Sequence, residues 1–215
     1  MTKPRSPKPE HLILFDLDGT LTYGVSTTRF IFRWMGAEPF FEKLEEEWLK
    51  DKTDHLDLAR QVTDRMKGWK MKDIEKALRA IPKMNRIGQT VKALKKKGFF
   101  VALSTLGYEF SARLFQRWYG FDETRGTTLE IKRGIITGRG MKIFQEREKA
   151  LFLKRLARRY SIPLSRTVAL GDSRSDREVF KIAGFRIAVN HDGFLKGKAD
   201  AELKGRDLSK ILKYL

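Results

Sequence analysis

The chain has 215 residues, with 45 Lys+Arg against 27 Asp+Glu and a formal net charge of +18. Hydrophobic residues at 41% and aromatics at 11% supply a packed core and exclude wholesale disorder. The absence of cysteine excludes disulfides, thiolate nucleophiles and Cys-ligated zinc or iron–sulfur sites, and His11, His55 and His191 are too scattered to suggest a His-rich metal site.

In chain order, Met1–Glu10 is polar, carries prolines and offers no apolar segment for a signal peptide. The longest apolar runs, Leu12–Phe15 and Phe99–Leu103, are too short to span a bilayer. The expectation is a soluble, cytoplasmic protein with no membrane partner. Residues 11–18 read as a buried strand ending in acids, and Gly19-Thr20 as a turn. Helical spacing follows over 29–50, broken around Gly36–Pro39, then over 54–67 and 72–80, and Pro82 closes this helical block.

The pattern then alternates. A helix at about 86–97 stops at Gly98. Phe99–Ser104 reads as a second buried strand with Ser104 at its end, and 108–119 as a helix. Residues 127–143 form a hairpin around Lys132-Arg133-Gly134. A helix spans about 146–160 with Lys149 on an otherwise apolar face of Ala150, Leu151, Leu153 and Leu156. Thr167–Leu170 is a third buried strand, running into Gly171-Asp172. A helix at about 175–183, strands at 185–189 and 200–203, and a final helix at about 207–214 complete the chain. Strand–helix alternation implies an α/β fold, a Rossmann-like doubly wound parallel sheet whose ligands gather at the carboxyl ends of the strands. Residues 1–23 and 82–215 would form the core domain, and 24–81 a small α-helical cap inserted after the first strand.

Three strands deliver polar residues to that edge. In Asp16-Leu17-Asp18-Gly19-Thr20, two carboxylates are crowded at a strand end. Either they share a divalent cation, for which oxygen ligands favour Mg²⁺, or they cap a turn. Gly171-Asp172-Ser173-Arg174-Ser175-Asp176 reads as a second acidic site or as a helix N-cap. Ser104, with the amides after it, suits a phosphate oxygen or an ordinary turn. The Lys/Arg excess is spread along the helices and reads first as solvated faces. Nucleic acid remains the lesser reading.

In this order the motifs resemble the haloacid dehalogenase superfamily, closest in layout to its phosphoserine phosphatase-like branch. The family pattern of DxDGT, Ser/Thr, Lys and GDxxxD matches Asp16 to Thr20, Ser104, Lys149 and Gly171 to Asp176. The resemblance implies a Mg²⁺-dependent phosphatase acting on a small phosphomonoester. Asp16 is then the nucleophile that forms an aspartyl-phosphate and Asp18 the general acid and base. The metal is held by Asp16, Asp172 and the Asp18 carbonyl, the phosphate by Ser104 and Lys149, and Asp176 binds through water or orients Lys149. A phosphotransferase of the same family, or a basic nucleic-acid-binding protein acting on a terminal phosphate, are the alternatives. The family position that binds a substrate amino group holds Val25. The carboxylate-binding arginine falls on Gln61, beside Arg60, and Ser-Gly-Gly is replaced by Ser104-Thr105-Leu106. These departures predict that phosphoserine is not the main substrate. The aromatics of the insert, Phe30, Phe32, Trp34, Phe40, Phe41, Trp48 and Trp69, either pack its core or line a pocket. The sequence leaves the oligomeric state open.

Overall fold

The computed structural model describes residues 8–50 and 52–215. The first seven residues of the polar leader therefore lie outside the described residues. At the centre of the fold is β1 (His11–Asp16), whose apolar side chains alternate between faces. Ile13 and Phe15 enter one core layer, and Leu12 and Leu14 the other. A strand buried on both sides belongs inside a parallel sheet, and β1 pairs parallel with β2 (Phe99–Tyr108) and with β5 (Thr167–Gly171). Beyond β2 come β3 (Glu123–Lys132), parallel, and β4 (Ile135–Lys142), antiparallel. Beyond β5 come β6 (Phe185–Val189) and β7 (Ala201–Leu203), both parallel. The order is β4-β3-β2-β1-β5-β6-β7.

Four helices separate β1 from α5 (Ile87–Lys96): α1 (Thr27–Trp34), α2 (Glu38–Leu49), α3 (His55–Arg65) and α4 (Met71–Ala80). Caps set two of their starts: Ser26 Oγ accepts the Arg29 amide at 3.2 Å and an Asp54 carboxylate oxygen accepts the Asp57 amide at 2.8 Å. This block is tied down on two sides. Where it joins the sheet, the Tyr23 amide donates to the Pro82 carbonyl at 3.0 Å and the Met84 amide to the Leu21 carbonyl at 2.9 Å. At its far end, Gly68 and Met71 donate to the Ile136 and Gly134 carbonyls of the β3–β4 hairpin, each at 2.8 Å, and Ile136 donates back to Trp69 at 2.9 Å. Of the insert aromatics, Phe32 is fully buried against Phe41 and Trp69, whereas Trp34 is 51% exposed.

After the sheet turns back, α6 (Glu109–Tyr119) follows β2 and α7 (Glu146–Tyr160) follows β4. A capping box opens α7, the Gln145 amide donating to Glu148 at 2.7 Å. Four sequence expectations need correction. Ser104 is inside β2, not at its end: the strand continues to Tyr108, and its register against β3 shifts between Ser104 and Tyr108. The helix expected at 175–183 is a 3₁₀ turn, Arg174–Asp176, leading into the four-residue α8 (Arg177–Phe180). The turn is tight because the Asp176 carboxylate folds back on the Asp172 and Ser173 amides. The last segment, Leu208–Tyr214, is 3₁₀ rather than α. Leu151 is 51% exposed, and the buried face of α7 is Ala150, Phe152, Leu153, Leu156 and Ala157.

Candidate active site

The carboxyl ends of β1, β2 and β5 converge below a cavity of about 710 Å³. Asp16, Asp18, Asp172, Ser173 and Ser175 line its floor, and residues of α1, α2 and α3 line its walls. Register places Asp16 beside Ser104 on adjacent strands. Lys149 reaches this floor from below, where α7 packs on the sheet, and its side chain is 1% exposed. Its ammonium donates to Asp16 Oδ1 at 2.5 Å, to Asp176 Oδ1 at 2.8 Å and to Ser175 Oγ at 3.2 Å.

Both oxygens of Asp176 are engaged by the protein. Oδ1 takes Lys149, and Oδ2 takes the amides of Asp172 at 3.1 Å and Ser173 at 3.4 Å. Gly171 makes this possible. A β-carbon there would run into the Asp176 carboxylate, so the glycine serves close approach rather than a turn. Gly19 combines both needs: its φ is +78°, and a β-carbon would strike the Asp172 carboxylate.

Asp18 points away from this cluster. Its Oδ1 accepts the Thr27 amide at the start of α1 at 2.5 Å, and its Oδ2 accepts the Thr105 hydroxyl at 2.9 Å. The Thr105 Oγ1 in turn accepts the Gly107 amide at 2.9 Å. The two carboxylates of the first motif thus have separate partners, Asp16 bonded to Lys149 and Asp18 to Thr27 and Thr105.

Carboxylate oxygens of Asp16, Asp172 and Asp176 lie within 4.8 Å of one another. With Lys149 the four groups sum to −2 when all are ionised. Burial drives the proton affinity of Asp16 well above the ordinary carboxylate range. Lys149 opposes that rise, and Asp176 and Asp18 add to it. Asp172 is raised for the same first reason, then by Asp16 and Asp176. Burial alone would lower the Lys149 ammonium, but Asp16 and Asp176 outweigh it and the net shift is upward. Two buried polar atoms here, Asp172 Oδ1 and Ser104 Oγ, have no hydrogen-bond partner among the described residues. A charge deficit of two units, an orphaned carboxylate oxygen and an all-oxygen donor set fit a hard divalent cation.

All six residues singled out from the sequence therefore meet at one place. Asp16, Asp18 and Asp172 face the cavity, while Ser104, Lys149 and Asp176 lie buried beneath or behind it. Val25 lines the wall, but Arg60 and Gln61 do not, and Arg60 pairs with Asp57 on the surface at 3.1 Å. Phe41 and Trp48 are the insert aromatics on the cavity wall. Arg29 and Glu45 also line the cavity without having stood out in sequence, because single charged residues on amphipathic helices carry no spacing signal, and so does Asn190, just after β6.

The family model for haloacid dehalogenase-like hydrolases matches residues 13–181. A protein of Methanocaldococcus jannaschii named phosphoserine phosphatase is 33% identical over 97% of this chain and 99% of its own length. One so named from Idiomarina loihiensis is 29% identical over 94% of this chain and 91% of its own. Among solved structures, a phospho-aspartyl intermediate analogue of phosphoserine phosphatase superposes with a TM-score of 0.83. It is 32% identical, covering 97% of this chain and all of the other.

Proposed function

Because the chain belongs to the haloacid dehalogenase-like hydrolase family and is a phosphatase, we propose that it hydrolyses a small phosphomonoester in two steps through Asp16, with Mg²⁺ as its metal. The observation that carries this reading is the buried Asp16–Lys149–Asp176 network at the cavity floor. Lys149 occupies Asp16 Oδ1, which leaves Oδ2 as the nucleophile. A bond forms from Oδ2 to phosphorus as the phosphorus–alkoxide bond breaks, and Asp18 donates the proton that the alkoxide needs. Water then attacks phosphorus, Asp18 takes its proton, and Asp16 leaves as a carboxylate. Ser104 and Lys149 hold phosphoryl oxygens and offset their charge.

Asp16, Asp172 and the Asp18 carbonyl are the residues that would hold Mg²⁺, which supplies charge neutralisation and orders the phosphate. Asp176, with both oxygens taken, positions Lys149 and the Asp172 backbone instead. Residues 24–81 act as the cap over a core of 1–23 and 82–215. This division is supported by the paired crossing segments Leu21–Tyr23 and Pro82–Met84. A closed cap keeps water from Asp16 until the leaving group has gone.

The substrate is a small molecule, and phosphoserine is not the preferred one. Val25 puts an apolar wall where the branch binds an amino group, and neither Arg60 nor Gln61 reaches the cavity. Thr105 and Leu106 narrow the space beside the phosphate. The test is a phosphomonoester panel with and without Mg²⁺ on wild type and Asp16→Asn. Turnover requires Mg²⁺ and disappears in the variant. Unchanged turnover in the variant refutes the covalent route, and phosphoserine hydrolysed far faster than all others refutes the substrate reading. Added alcohol acceptors distinguish hydrolysis from phosphotransfer.

A further inference from the structure

The cavity carries charge at two levels. Asp16, Asp18 and Asp172 form the floor, and the remaining charged lining residues are Arg29 of α1 and Glu45 of α2. Arg29 Nη2 donates to Glu45 Oε2 at 2.7 Å, while Nη1 lies 3.7 Å from Glu42 Oε1. One guanidinium thus faces two carboxylates, of which only Glu45 lines the cavity, so the charged pair on the wall is neutral in sum. The second oxygen of Glu45, Oε1, takes no donor from the described residues. The wall is largely apolar, built from Val25, Phe41, Trp48, Leu58 and Val62, with hydroxyls from Ser26 and Thr28. Solvent screening is therefore reduced, and the side chains of Arg29 and Glu45 are 32% and 25% exposed.

A leaving group entering this space meets a single cation whose Nη2 is already bonded to Glu45, while its Nε has no partner among the described residues. A carboxylate there is repelled by Glu45 and competes with it for Arg29. A neutral polyol loses water against an apolar wall. An ammonium pairs with Glu45 Oε1, and its methylene body and any N-methyl groups fit an aliphatic and aromatic wall, where a nearby ring attracts a cation. We propose that Glu45, held in place by Arg29, selects phosphomonoesters whose leaving group carries a positive charge and no carboxylate, that is, phosphorylated amino alcohols. This rests on the phosphatase reading above and adds the class of leaving group to it.

The experiment compares kcat/KM for phosphoethanolamine, glycerol 3-phosphate and phosphoserine, with p-nitrophenyl phosphate as the generic substrate, all with Mg²⁺. In wild type the phosphoethanolamine to glycerol 3-phosphate ratio is about tenfold, the size of one charge-assisted contact. Glu45→Gln brings the ratio close to one, mainly through the KM for phosphoethanolamine, and Glu45→Lys takes it below one. A purely structural role for Glu45 lowers both substrates together and leaves the ratio where it was, which overturns the proposal. So does a wild-type ratio near one, a measurement that does not depend on any variant folding. Should none of the esters be hydrolysed, p-nitrophenyl phosphate included, or should turnover be equal in Asp16→Asn, the phosphatase reading fails. If it is hydrolysed through Asp16 without preference for the amino alcohol, only the leaving-group assignment fails.

Discussion

Lys149→Met tests the charge arithmetic of the floor. The side chain is 1% exposed, and its ammonium is bonded to Asp16 and Asp176, themselves 4% and 1% exposed. Methionine keeps most of the volume, so the cavity cost is small. Removing one member of a buried ion pair costs about 3–5 kcal/mol, because the remaining charges lose their partner. For a chain of this size 1 kcal/mol corresponds to about 2–4 °C, so the melting temperature falls by roughly 6–20 °C near pH 8. The pH dependence has a definite sign. Asp16 has a proton affinity above the ordinary 3.8, so the folded chain binds more protons than the unfolded one from that value upward, and stability falls as pH rises through the window. Without Lys149, which holds Asp16 down, the window extends further upward. Lys149 itself is raised above 10.5, so its stabilisation is complete at neutral pH and is lost only in strong alkali. The gap between wild type and variant therefore narrows on acidification from about pH 8 to about pH 5. Thermal melting with a chelator present measures both quantities. A loss under about 2 °C, or a gap independent of pH, refutes the reasoning.

Two further substitutions probe neighbouring terms. Asp172→Asn removes a carboxylate whose protonation is favoured first by burial and then by Asp16 and Asp176. Without metal near neutral pH the variant is more stable by about 1 kcal/mol, and it loses the upward shift in melting temperature that Mg²⁺ gives the wild type. A variant less stable without metal contradicts this. Thr105→Val deletes the hydroxyl that donates to Asp18 and accepts from the Gly107 amide. Steady-state kinetics show kcat reduced about fivefold, the value of roughly 1 kcal/mol of lost orientation, and Thr105→Ser restores most of it.

The acidic pairs and the serine were legible in the sequence because they sit at fixed offsets from turns and apolar strands, and Lys149 only through its place in the order of the family's motifs. An apolar run ending in Asp16-Leu17-Asp18-Gly19-Thr20 has few ways to fold. Burial on both sides places it mid-sheet, and the parallel order then follows from the helices between strands. Other features depended on contacts distant in sequence. Ser104 was expected at a strand end, yet β2 runs on to Tyr108 because β3 offers it partners through a shifted register. The helix after Gly171 shrank to a 3₁₀ turn because Asp176 bonds inward.

What the sequence determined by itself is the chemistry: no thiol, a minority of acids at strand ends, and a cationic chain suited to anionic substrates. What only the tertiary structure decided is which of many similar side chains matter. Lys149, marked in the sequence only by motif order, is buried in the fold against two carboxylates. Thr105 holds the Asp18 carboxylate in place, and Arg29 meets Glu45 across two helices inside a cavity. The physical reason is range. Turn chemistry and alternation act over a few residues, whereas burial and ion pairing act between atoms that the chain brings together only when it folds, Lys149 and Asp16 being 133 positions apart.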